Sequence, residues 1–252
     1  MVQNADMLLT IALTAAILLF VQRLARVADR LWLARLGWRP LLLTTGWLGV
    51  PVHEGAHALA CVLTRRKIRE LRLLAPDKKT GVLGYVAWEQ KPGPLGWLAE
   101  LLVGWAPLLA SLGAMLLLAW LENGHWPSHG ANAAVLQADL QRLGQEMFAH
   151  LQAGGWTRTA TLLRLFAAVA IAAHGVPSVE DLQGTWRGAL LLAAVLALAV
   201  GLGELTELPV GLWTLKAMTR LCAALLPALG LAMLAVSLRL GVAAAWPGRV
   251  GR

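Results

Sequence analysis

Charge is scarce in this chain. Asp, Glu, Lys and Arg make up 14% of its 252 residues, against roughly 25% in soluble globular domains. Apolar residues supply 58%, and mean hydropathy is +0.63. These values exclude an ordinary soluble globule and a disordered chain, and point to a protein that lives in a lipid bilayer. Cysteine is nearly absent. Cys61 and Cys222 lie in apolar runs, form no CxxC pair, read as small core residues and carry no information on redox compartment. No Lys or Arg precedes the first apolar run and no small-residue cleavage site follows it, so a retained first span is expected rather than a cleaved signal peptide. Internal repeats and low-complexity tracts are lacking. The net charge of +8 is not paired with any nucleic-acid-binding module, so the excess of Lys and Arg is assigned to membrane orientation and no nucleic-acid partner is expected.

What is present is a series of apolar segments. The expected fold is an all-α polytopic membrane protein, one integral domain over 1–252, with about six transmembrane helices. The expected spans are 7–21, 41–63, about 97–120, about 160–173, about 186–202 and about 221–240. Between the first two, residues 22–39 place Arg23, Arg26, Arg30, Arg35 and Arg39 among apolar residues at helical spacing, the pattern of an amphipathic interfacial helix. Residues 66–90 hold two short β-prone runs around a Pro-Asp-Lys-Lys-Thr-Gly turn, which predicts a β-hairpin at the membrane surface. Residues 121–159 read as a polar outer loop, whose His125, His129 and His150 are expected to be solvent-exposed. Tyr85 and Trp88 read as interface anchors.

Seven Lys/Arg in the fifteen residues 65–79 mark that segment as cytoplasmic. Counting spans onward puts 174–185 inside, 203–218 outside and the C-terminal end inside. The five arginines of 23–39 then fall on the outer side, against the rule that supplied the count.

The chemistry concentrates at 53–57, His-Glu-Gly-Ala-His. Histidines four apart on a helix stand one above the other, so both imidazoles can reach one metal ion, with Glu54 placed to take a proton from a water there. Chance would produce this HExxH pattern roughly 0.005 times in a chain of this composition. Three ionisable groups in an apolar segment are costly without a partner, which a cation supplies. A catalytic zinc ion needs a third protein ligand. The candidates lie at 173–184: Asp181, then His174, then Glu180. Ser178 and Asp181 also spell a helix-capping box, and His174-Gly175 with Pro177 spells a helix stop.

The run His53-Glu-Gly-Ala-His-Ala-Leu-Ala-Cys-Val-Leu63, the basic hairpin with Gly84-Tyr-Val and the later Asp segment resemble the site-2 protease family of intramembrane zinc metalloproteases, closest to its compact bacterial members. The likeness covers about 41–88 and 174–184. It implies one Zn²⁺ held by His53, His57 and Asp181, with Glu54 as the base and a membrane-edge strand from about 80–88 that takes up an unwound substrate. His174 would stabilise the developing oxyanion or substitute as a ligand. The family motif is closer to Leu-Asp-Gly, whereas this chain reads Ser178-Val-Glu-Asp-Leu-Gln-Gly184. Implied partners are a membrane protein or peptide substrate and the lipid bilayer. The implied location is a bacterial inner membrane, with the site toward the cytoplasm. Two rival readings remain at this level: a zinc hydrolase acting on a lipid or small amide, and a non-enzymatic zinc-binding membrane protein or transporter.

Overall fold

The computed structural model describes residues 2–77, 82–123, 142, 145, 146, 148–150 and 152–246. It is mostly helical. The elements are α1 (Val2–Arg35), α2 (Trp38–Leu41), a π turn (Leu42–Gly46), α3 (Trp47–Leu63), β1 (Ile68–Arg72), β2 (Tyr85–Trp88), α4 (Pro94–Asn123), α5 (Gly155–Gly175), α6 (Val179–Leu182), α7 (Thr185–Leu205) and α8 (Val210–Ala245). Among the described residues, four stretches are long and apolar enough to cross a membrane: Leu9–Arg35, Pro94–Leu118, Thr185–Gly203 and Val210–Ala245. The helices at 41–63 and 160–173 do not reach that combination of length and hydropathy.

Along α4, Gly175 packs on Pro107 and Ser111, Gly104 on Asp181 and Thr185, and Gly188 on Trp97 and Leu101. Both α5 and α7 therefore run antiparallel to α4, α5 on its second half and α7 on its first. The helices over the expected fourth and fifth spans thus run in the same direction, with a break at 176–184 between them. The segment expected to be a cytoplasmic loop is instead packed beside the middle of a helix.

Helices α1 and α8 lie side by side and parallel. Ile17 meets Leu225 and Leu229, Val21 meets Ala232, and Arg35 donates to the carbonyls of Ala243 and Ala244 at 3.0 and 2.7 Å. The expected interfacial helix at 22–39 is thus largely the second half of α1, which continues unbroken to Arg35. Its basic end lies at the same end of the bundle as the end of α8. The entry to the hairpin lies at the opposite end, where Arg66 reaches Gly96 at the start of α4. The α7–α8 turn, closed by Gly203 against Val210, follows from α7 running on past the start of α4.

The hairpin forms with antiparallel strands, Ile68 opposite Trp88 and Arg72 opposite Tyr85, and a bulge between Ile68 and Glu70. It does not project from a surface. Leu83 packs on Gly46 and Val50, while Ile68 and Trp88 pack on the Ala56–Ala60–Cys61 patch. The hairpin therefore lies lengthwise along α3. Pro51 sits inside α3, on a helical path that already begins at Trp38 and runs through the π turn. Of the expected outer loop, 121–123 continue α4. His125 and His129 lie outside the described residues, and His150 is helical and half-buried.

Candidate metal centre

Helix α3 presents His53, Glu54 and His57 toward the break between α5 and α7. Asp181 comes from that break. Its helix α6 has only four residues and is held by a reciprocal cap: Asp181 N donates to Ser178 Oγ at 3.0 Å, and Ser178 N donates to Asp181 Oδ2 at 2.6 Å. The cap starts α6 rather than the following long helix, and it aims the carboxylate. Capping and ligation are compatible here, because each carboxylate oxygen has more than one lone pair.

Donor atoms of His53, His57 and Asp181 all lie within 4.8 Å of one another. His53 Nε2 is 3.3 Å from Asp181 Oδ2, His57 Nε2 is 3.1 Å from Asp181 Oδ1, and the two Nε2 atoms are 3.2 Å apart. Three ligands bonded tetrahedrally to zinc at about 2.0–2.1 Å stand about 3.3 Å from each other. The His53–His57 edge already has that length, and each imidazole meets one of the two Asp181 oxygens at a similar distance.

The protonation pattern makes the same point. His53 Nδ1 lies 2.5 Å from the His174 carbonyl and His57 Nδ1 lies 2.9 Å from the Val103 carbonyl. Carbonyls only accept, so both Nδ1 atoms carry hydrogen, and in the neutral form of each ring Nε2 presents a lone pair toward Asp181. A bound cation would satisfy both lone pairs and the carboxylate, and a carbonyl behind each imidazole is the support that metal-binding histidines receive. The three residues could hold a metal ion.

His174 enters differently from expectation. Its backbone carbonyl holds His53, while its ring Nε2 meets Thr45 Oγ1 at 3.0 Å and its edge packs on Gly49. The ring is not in the donor set. Glu180 is exposed on α6 and is not in the set either. Glu54 is buried beside His53, the position expected of it.

Trp88 faces the cluster. Its ring stacks on His57, centroids 5.7 Å apart and planes 25° from parallel. Trp88 Nε1 donates to Glu100 Oε2 at 3.1 Å, and the buried Arg66 pairs with Glu100 Oε1 at 3.2 Å. Sequence reasoning passed over Arg66, Trp88 and Glu100. The available signal was Glu100 itself, a lone carboxylate in the apolar run 95–103 that calls for a partner.

On the hairpin, Arg69 pairs with Glu89 at 2.8 Å and Arg72 with Glu70 at 3.0 Å. A hydrogen bond from Tyr85, with Arg72 assisting, holds the Glu70 carboxyl below its ordinary value. The same hydrogen bond to Glu70 pushes the Tyr85 hydroxyl up.

Comparison with protein-family models, with curated proteins and with solved structures finds no match.

Proposed function

We propose that this chain is a zinc-dependent endopeptidase that hydrolyses a peptide bond in or beside a membrane-spanning segment, as its resemblance to the site-2 protease family implies. The observation that carries the reading is the convergence of two imidazole lone pairs and the Asp181 carboxylate at 3.1–3.3 Å, each ring backed by a carbonyl.

His53, His57 and Asp181 would hold the ion. When bound, zinc lowers the pKa of a coordinated water toward about 7 and polarises the scissile carbonyl. Glu54, next to His53 in sequence and buried, accepts the proton of the attacking water and returns it to the leaving amine. A helical substrate keeps its peptide groups bonded internally and must unwind before attack. The two-stranded sheet can take such a segment by strand addition, and Trp88 at the end of β2 touches His57, so that sheet adjoins the donor set. Hydrolysis needs water. The exposed, mutually paired Arg69, Glu70, Arg72 and Glu89 favour a hydrated face along α3. The seven Lys/Arg of 65–79 favour a cytoplasmic location for the hairpin entry.

The test is metal content and cleavage on the purified full chain in detergent. Wild type should hold one zinc per chain and cut an unwound transmembrane peptide. Glu54→Gln should keep the zinc and lose cleavage by about 10⁴-fold or more. A wild type that takes up no metal, or a Glu54→Gln variant that still cleaves, sinks the reading. Flux of a cation across vesicles with no hydrolysis would favour a transporter.

A further inference from the structure

The break at 176–184 accounts for Asp181 and His53, but it leaves unexplained a second buried network on the other side of His57. Arg66 is almost fully buried, yet it sits at the end of α3 where a basic residue would ordinarily reach solvent. It donates to the carbonyls of Glu89 at 3.1 Å and Gly96 at 2.5 Å, and pairs with Glu100. Glu100 in turn accepts from Trp88 Nε1, and the face of Trp88 lies on His57. The chain Arg66–Glu100–Trp88–His57 thus runs from the base of the hairpin to one donor of the metal centre. Burying a charged pair is not by itself stabilising, so its presence here asks for a role in geometry.

We infer that Trp88, tethered by Glu100 and Arg66, is a positioning residue that fixes the plane of the His57 imidazole and ties it to the placement of β2. The inference rests on the metal reading above. His57 is held in its own plane at Nδ1 by Val103 and at Nε2 by the donor set, and the ring can still rock about the line joining those two atoms. An indole face parallel to within 25° removes that freedom. Because Trp88 is also the residue of β2 paired with Ile68, any shift of the strand is transmitted to His57. Supporting partners of metal-binding histidines typically carry about 10–100-fold in metal affinity, and Trp88 acts on His57 through its ring face in the way such partners act through the ring edge.

The experiment loads Co²⁺ as a visible probe into the full-length protein in detergent and compares wild type, Trp88→Leu and Trp88→Phe. Affinity is read by chelator competition and geometry by the d–d absorption bands. Trp88→Leu should weaken Co²⁺ binding about 10–100-fold and alter the bands. Trp88→Phe, which keeps an aromatic face and loses only the Glu100 tether, should recover most of the affinity while its bands remain shifted. Leu and Phe variants that both bind Co²⁺ with wild-type affinity and bands would overturn the inference and leave the metal reading intact. Wild type that takes up no Co²⁺ would overturn the metal reading first. A Phe variant that restores both affinity and bands in full would mark Trp88 as space-filling and overturn the tethered positioning role.

Discussion

Gly104 of α4 lies directly against the backbone carbonyl of Asp181, with the methyl of Thr185 on the same spot. No side chain fits there without pushing the ligand-bearing turn away from α3. Gly104→Ala should therefore cost about 1–3 kcal/mol of stability through overpacking, and weaken zinc binding because the displaced group is a ligand's own backbone. Gly113, on the same helix, has nothing near its absent Cβ. Gly113→Ala should be neutral or stabilising by up to about 1 kcal/mol, with zinc affinity unchanged. Equal zinc affinities in the two variants would show that Asp181 does not depend on this close approach.

The cap and the ligand can be separated. Ser178→Ala removes the cap on Asp181 N but leaves the carboxylate; it should cost about 1 kcal/mol and keep zinc bound with reduced affinity. Asp181→Ala removes both roles and should release the ion. His174→Ala keeps the carbonyl that supports His53, since that group is backbone, so it should retain zinc. Metal content after dialysis decides: zinc lost from His174→Ala but kept by Asp181→Ala would reverse the assignment of the third ligand.

HExxH places two imidazoles one helical turn apart by local geometry alone, so the proximity of His53 and His57 was legible in the sequence. Asp181 was one of three candidates there, and it took the fold to bring its carboxylate, rather than His174 or Glu180, beside them. The arrangement of α5 and α7 needed the fold as well. Residues 160–173 and 186–202 are each apolar enough to suggest a span, and only their packing against opposite halves of α4, at Gly175 and Gly188, shows that they share one direction. The link at 22–39 misled for a similar reason. Its arginines follow a helical stripe, but Asp29 and the carbonyls at the end of α8 engage Arg239 and Arg35, so α1 continues as a packed helix instead of turning into an interface. Trp88 was read by composition, as a tryptophan near a span end, where its partner Glu100 held the better clue.

The chain has a single tyrosine, which makes the hairpin face measurable. Ionising Tyr85 would place a second anion beside Glu70 and break the hydrogen bond between them, so Tyr85 should titrate above the ordinary value near 10. Ultraviolet difference absorbance of the folded protein should show this. Glu70→Gln should bring the transition back toward the ordinary value, whereas Glu89→Gln, which breaks only the pair with Arg69, should leave it in place. A Tyr85 transition unaffected by Glu70→Gln would mean that the two groups do not meet in solution.

The end of α5 makes the strongest demand on its neighbours. A helix that stops inside a bundle leaves its last carbonyls without intrahelical partners or water. Two of them here accept from side chains on other helices, Ala173 from Arg239 at 2.9 Å and His174 from His53, and the carbonyl of Pro177, just beyond the helix, accepts from Gln22 at 3.0 Å. Arg239 is buried and also pairs with Asp29 at 2.9 Å, but Asp29 is 42% exposed, so screening weakens that pair. The carbonyl should therefore matter more than the carboxylate. Arg239→Met strands the Ala173 carbonyl and should cost about 1–3 kcal/mol, with weaker zinc binding because the adjacent His174 carbonyl holds His53. Asp29→Asn leaves the Arg239 bond to Ala173 in place and should cost under about 1 kcal/mol. Denaturant unfolding in detergent, with and without zinc, ranks the two; equal losses would shift the role of Arg239 from the α5 carbonyl to its ion pair with α1.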